Sequence, residues 1–403
     1  MFLQIIFALL LGVSFGIITG LIPGVHVNLI SLLLLSLSGY FLGFTSPLVL
    51  SVFIIAMSVT HSFLDSIPAT FLGAPDPAMA LGVLPGHKLL LEGKGYEAVK
   101  LTVIGSLLSL FVVLLIIPLM IPVVPLIYEF IQPFIGYILI FVVGYMIWKE
   151  DGFLKKVWAL FLFFLTGVLG LVVFNIPDLR QPLFPLLSGL FGVSALVLSL
   201  NQNTKIPEQK ISETIFVSHG KKAKAVGAAV FSGSLTGLFP GLGSAQAAII
   251  GMQLVGNIGN YAFMILIGGI NTVNFVFSLV TLYTLEKARN GAVVAVLEIV
   301  KSINLIELIV LLLVALITGC IAAFLALKIS KIFAKYIVKV NYKVLCYCII
   351  GLIALMSFAF GRFLGLFVLM VSTFVGLIAP IVGVKRSNAM GCLLLPVIFY
   401  FNL

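Results

Sequence analysis

Apolar runs recur along almost the whole chain, divided by short polar connections. A membrane helix needs about 20 apolar residues, and runs of that length are what the sequence supplies. The first covers residues 2–43 and is interrupted at Pro23-Gly24; a second covers 47–72. Residues 73–95 read as an amphipathic, loop-like stretch. Further runs lie at 97–127, 132–148, 153–174 and 183–200, with a polar connection at 175–182. After a polar region at 201–224 come 225–256 (broken at Pro240-Gly241), 260–283, 292–327, 344–360, 363–383 and 389–402. The pattern predicts an all-α polytopic membrane protein with roughly ten to twelve membrane elements by the length rule. Strands of a membrane barrel would be about ten residues long and alternating, and these runs are neither.

Composition agrees. Of the 403 residues, 62% are hydrophobic and only 9% charged, against about 25% charged in soluble domains. The formal charge of +10 would raise nucleic acid as a partner in a soluble protein. Here it is assigned to loop placement, because Lys and Arg accumulate on the cytoplasmic side of a bilayer. The two basic stretches, 201–224 and 328–343, are therefore expected to be cytoplasmic. Residues 2–21 lack a charged leading region and a small-residue cleavage site, so they read as a mature helix. Cys320, Cys346, Cys348 and Cys392 lie in apolar surroundings and are expected to be buried thiols without metal or redox work. Arg362 joins two apolar runs and reads as a loop or snorkelling residue.

A motif repeats. Aligned without gaps, Gly16, Thr19, Gly20, Leu21, Pro23 and Gly24 meet Gly233, Thr236, Gly237, Leu238, Pro240 and Gly241. Each copy precedes a second long apolar block that ends in a short polar stretch with Gly, "LEGKGYEAV" and "LEKARNGAV". The order of features is duplicated. This predicts two inverted repeats with broken helices at the Pro-Gly motifs: a first half at 1–200, a basic linker at 201–224, and a second half with C-terminal helices at 225–403. Irregular backbone survives inside a membrane only where protein buries it or where it lines a watery cavity. Transporters place their sites at such breaks. A helix restarting after Pro-Gly aims free N–H groups and a positive dipole end at the break, which suits an anion.

The candidate binding residues follow from that reading. Thr19, Gly24, His26 and Asn28 surround the first break; Thr236, Gly241, Gly243, Ser244 and Gln246 surround the second. Asn271, Thr272 and Asn274 form a polar cluster that either binds substrate or joins helices. His61 and Asp65, at i and i+4, share a helix face. A carboxylate deep in an apolar run is costly and points to function, so the pair is a candidate for coupling to Na+ or H+. Asp76, in "GAPDP", either assists them or caps a helix. Arg180 either pairs with an anion or anchors at the interface.

At these residues the chain resembles the permease subunit of tripartite tricarboxylate transporters, the TctA family. The resemblance rests on G-x-x-x-G-x-x-P-G at 16–24, on the small-residue and Pro signature at 66–99, on "LRQPLFPLLSGLFGVSALV" at 179–197, and on Pro-Gly-x-Gly at 240–243. It implies a cation-coupled secondary transporter of carboxylates, of inverted-repeat fold, in the cell membrane. It further implies a small membrane subunit and an extracytoplasmic binding protein as partners. No cofactor is expected beyond the coupling ion, and a homo-oligomer is compatible with the reading.

Rival classes fit less well. An intramembrane aspartyl enzyme needs a second Asp facing Asp65, and a serine type needs Ser244 beside His26 or His61. A polyprenyl-phosphate flippase could hold a lipid phosphate at the same paired breaks, and remains the alternative. A channel should show a ring of charges or a filter repeat, and none is visible.

Overall fold

A computed structural model describes residues 2–22, 38–73, 81, 83–177, 179, 181–201, 206–239, 242–339 and 341–402. Among them there is no strand, and seven continuous helical stretches are long and apolar enough to cross a membrane. In order, the helices are α1 (Phe2–Leu21), α2 (Pro47–Leu64), its short continuation α3 (Ser66–Phe71), α4 (Val83–Leu91), α5 (Gly95–Ile131), α6 (Ile135–Trp148) and α7 (Phe153–Phe174). Next comes α8 (Leu183–Leu187), which runs through a π-helical turn at Ser188–Val193 into α9 (Ser194–Asn201). The rest is α10 (His219–Leu238), α11 (Ser244–Val255), α12 (Gly259–Leu285), α13 (Gly291–Val300), α14 (Leu305–Ile337), α15 (Tyr342–Val382) and α16 (Gly391–Asn402).

Glycine sets the tightest contacts. In α1, Gly12, Gly16 and Gly20 lie against Ala56, Thr60 and Leu64 of α2, so the two helices run side by side in the same direction. In α10, Gly233 and Gly237 lie against Val273 and Phe277 of α12, again in the same direction. Gly105 of α5 and Gly268 of α12 press on the backbone of Ile265 and Thr102, where any Cβ would collide with a carbonyl. Small residues permit this approach, and dispersion then holds the helices where lipid gives no hydrophobic drive.

Helix directions follow from contacts at the ends. Glu97 at the start of α5 meets Tyr261 at the start of α12, and Tyr128 near the end of α5 meets Arg289 just beyond α12, so α5 and α12 run together. Phe71, where α3 ends, reaches Gly95, where α5 begins. The α1–α2 pair therefore runs opposite to the α10–α12 pair. The linker packs at the α5 start, where Gln209 accepts from the Gly95 N–H at 2.9 Å and donates to the Leu90 carbonyl at 3.0 Å. That end is the linker face. Lys94, Lys100, Lys331 and Lys335 gather there, while Lys287 and Arg289 lie at the far face.

The structure differs from the sequence expectation in some helix bounds and in the burial of two cysteines. Part of the 73–95 stretch is helix α4, because Val83, Leu89 and Leu90 are buried and its Pro85 sits in the first turn, where no N–H is missed. The run at 292–327 is two helices: Lys301 takes a left-handed φ of 64°, and Asn304 with Glu307 forms a capping box that starts α14. Arg362 does join two helical segments: its backbone is non-helical, with φ 50° and ψ −139°, and breaks α15 between the two apolar runs expected there. Of the cysteines, Cys346 and Cys392 are buried as expected, but Cys320 and Cys348 lie exposed on outward helix faces.

Candidate functional site

The second interruption is a reversal of the chain. Gly251 of α11 lies against Ser232 of α10 and Leu266 of α12, while Ser244 at the α11 start meets Asn274. So α11 runs back along α10 and both arms of this hairpin open to the linker face. Near the end of its first arm, Gly237 lies at the level of Phe277, deep within α12. Two features of the tip are built from the sequence. Phe239 stacks on Tyr128 of α5, with ring centroids 6.0 Å apart. The Gly243 N–H donates to Gln246 Oε1 at 2.9 Å, so Gln246 caps its own helix.

The polar residues expected at the site form one line across four helices. Thr19 of α1 is buried and its hydroxyl lies 3.2 Å from His61 Nδ1 of α2. One turn on, Asp65 stands between α2 and α3, 3% exposed. Its Oδ2 accepts from Asn271 Nδ2 of α12 at 2.9 Å, and Asn271 also reaches the Ser62 carbonyl at 3.4 Å. One turn beyond Asn271, Asn274 Nδ2 donates to Ser244 Oγ of α11 at 3.3 Å. A carboxylate this deep is tolerable when hydrogen-bonded by a neighbouring helix.

The two halves use matched positions. Thr19 donates to the Gly16 carbonyl at 3.3 Å, and Thr236 to the Gly233 carbonyl at 2.7 Å. His61 follows Thr60, which covers Gly16; Asn274 follows Val273, which covers Gly233. Thr272 turns away to the Gly268 carbonyl of its own helix. Gly24, His26, Asn28, Asp76, Arg180 and Gly241 lie outside the described residues.

Sequence reading did not find two basic chambers. One, of about 740 Å3, opens near the linker face between α4, the α6 end, the α11–α12 connection and the segment before α16. Lys88, Lys149, Lys385 and Arg386 line it. Arg386 donates to the Phe191 carbonyl and Ser194 Oγ, both at 3.4 Å, and burial lowers its pKa. Behind them Glu150 is buried, accepts from Asn388 at 2.9 Å and pairs with Lys385 at 4.0 Å, so it offsets part of the wall's charge and leaves the other three basic groups without a carboxylate partner among the described residues. The other chamber, at the far face, contains Arg289. No long run of charge marks either, because Lys88 comes from α4, Lys149 from the α6 end, and only Lys385 and Arg386 are neighbours in sequence.

The model of the tripartite tricarboxylate transporter TctA family matches residues 6–391. A relative from Methanocaldococcus jannaschii, "Uncharacterized protein MJ1079", is 32% identical over 406 residues, covering 98% of each chain. No solved structure matches. TctA proteins are the permease component of tripartite tricarboxylate transporters, which assemble with further transporter subunits and a substrate-binding protein. With its buried polar line between long apolar helices, this multi-pass membrane protein of the plasma membrane belongs to the tripartite tricarboxylate transporter TctA family.

Proposed function

We propose that the chain is the permease of a secondary transporter for small organic carboxylates, driven by Na+ or H+. The observation that carries this is the Asp65–Asn271 hydrogen bond, which joins the α2–α3 junction of the first half to α12 beside the hairpin of the second. A carboxylate buried among membrane helices is a hard ligand for Na+ and a proton acceptor for H+. Occupation of Asp65 would loosen or hold the Asn271 contact, and α12 would carry the change by one turn to Asn274 and Ser244. The substrate's anionic groups would sit by the hairpin tip, beside the Ser244–Asn274 pair. The opposed directions of the α1–α2 and α10–α12 pairs support an inverted-repeat transporter. The basic crowd at the linker face supports a cytoplasmic assignment for it, so the 740 Å3 chamber would be the inward vestibule for a multivalent anion.

The test is citrate uptake into proteoliposomes under imposed Na+ or pH gradients. Asp65→Asn keeps the size and removes the charge. Gradient-driven accumulation should vanish while exchange of citrate across the membrane persists. Accumulation that is undiminished in this variant rejects the coupling role.

A further inference from the structure

We propose that Arg289 and Tyr128 form an anion-capture site at the far face, taking a carboxylate or phosphate group of a small molecule before it reaches the hairpin tip. The choice of a carboxylate probe rests on the transport reading above; the site's geometry does not. The cavity measures about 350 Å3 and is lined by Tyr128, Gln132, Pro133, Arg289, Tyr400 and Phe401. That is the lower end of the range for small-molecule sites, about 300–1,000 Å3. No acidic side chain lines it, and among the described residues no carboxylate pairs with Arg289.

The guanidinium is held but not satisfied. One terminal nitrogen donates to Tyr128 Oη at 3.3 Å. The Nε–H is buried and has no hydrogen-bond partner among the described residues. A guanidinium has five donors, keeps its charge at any physiological pH, and matches a carboxylate or phosphate with two parallel bonds. Arg289 is half-buried, and an anion on this edge would complete the donor that the protein leaves unpartnered. Lys287, 4.7 Å from the centre of the Tyr128 ring, adds positive potential. Glu286 ends α12 in a left-handed turn, φ 50°, and so brings residues 287–289 back over Tyr128. The same tyrosine stacks on Phe239 at the beginning of the hairpin turn. An anion on Arg289 is therefore one aromatic pair away from the tip, and Tyr128 is the residue through which its arrival is felt.

The experiment uses the whole protein in nanodiscs of neutral lipid, with citrate and inorganic phosphate as calorimetric probes. Arg289→Gln should weaken binding of whichever anion the wild type takes by about tenfold or more, the worth of a charge-assisted hydrogen bond. Arg289→Lys should recover part of it. In proteoliposomes, Arg289→Gln should raise KM for citrate supplied at the far face and leave KM from the linker face unchanged. Tyr128→Phe, which keeps the stacking and frees the guanidinium, should weaken binding a few-fold, and serves if Arg289→Gln does not fold. Wild-type affinity in a folded Arg289→Gln overturns the site and leaves the permease reading standing. Phosphate binding lost on substitution, with no citrate binding or uptake by the wild type, keeps the site and rejects the carboxylate reading. A wild type that binds neither anion overturns the site.

Discussion

Asp65 Oδ2 and Asn271 Nδ2 are 2.9 Å apart although 206 positions separate them. One residue lies at the junction of α2 and α3 in the first half, and the other sits inside the central helix of the second. Each is buried. The bond makes the state of a single carboxylate a property of both halves at once.

Replacing Asn271 by Ala leaves that carboxylate without its amide donor. The cost should be about 1.5–3 kcal/mol, as for other hydrogen bonds to charged groups. Asp65→Asn together with Asn271→Ala should cost less than the sum of the two single changes, because the penalty falls on a charge that is no longer present. Thermal melting of the purified protein gives all four corners of the cycle. Strict additivity would mean that the pair carries no coupling.

Lys94 and Lys301 should be reachable from opposite sides of the membrane. Lys94 stands at the start of α5 over Tyr261, and Lys301 ends the α13 helix that follows the far-face connection. Single cysteines at these positions, in a background lacking Cys320 and Cys348, can be labelled with an impermeant thiol reagent from either side. Labelling of both from the same side would leave a parallel repeat and remove the inverted one.

His87 of α4 should make stability depend on pH. Burial holds its imidazole below the ordinary value of 6.5, against a smaller upward pull from the Thr70 carbonyl 3.3 Å away. The folded state therefore resists protonation more than the unfolded chain does. Stability is full above pH 6.5 and declines as pH falls from there through the lower folded value. The midpoint of thermal unfolding should drop between pH 7.5 and pH 5.5, and His87→Gln should flatten the difference. An equally steep drop in the variant would place the sensitivity elsewhere.

Much of the architecture was legible because membrane helices follow from length and hydropathy alone. Residues 153–174 were expected as one run and are one helix. The capping box of Asn304 and Glu307 is a sequence signal too, yet it sits inside an apolar run where length dominates the reading. Asp65, Asn271, Asn274 and Ser244 were each marked by polarity in apolar surroundings. Their pairing was not legible, since it depends on how α2 crosses α12. Arg289 escaped notice for the opposite reason. A basic residue in a polar connection looks ordinary, and only the fold lays it on Tyr128 beside the hairpin.

The hairpin of α10 and α11 has a consequence for how the chain is made. Both of its arms return to one face, and its turn carries backbone that lipid cannot solvate. Its socket consists largely of α12, which the ribosome delivers afterwards. The segment cannot settle as it emerges. It has to wait at the membrane surface until the following helix is in place, and then slide in beside it. Biogenesis of the second half is therefore expected to run out of sequence order, with α12 seated before the hairpin that precedes it.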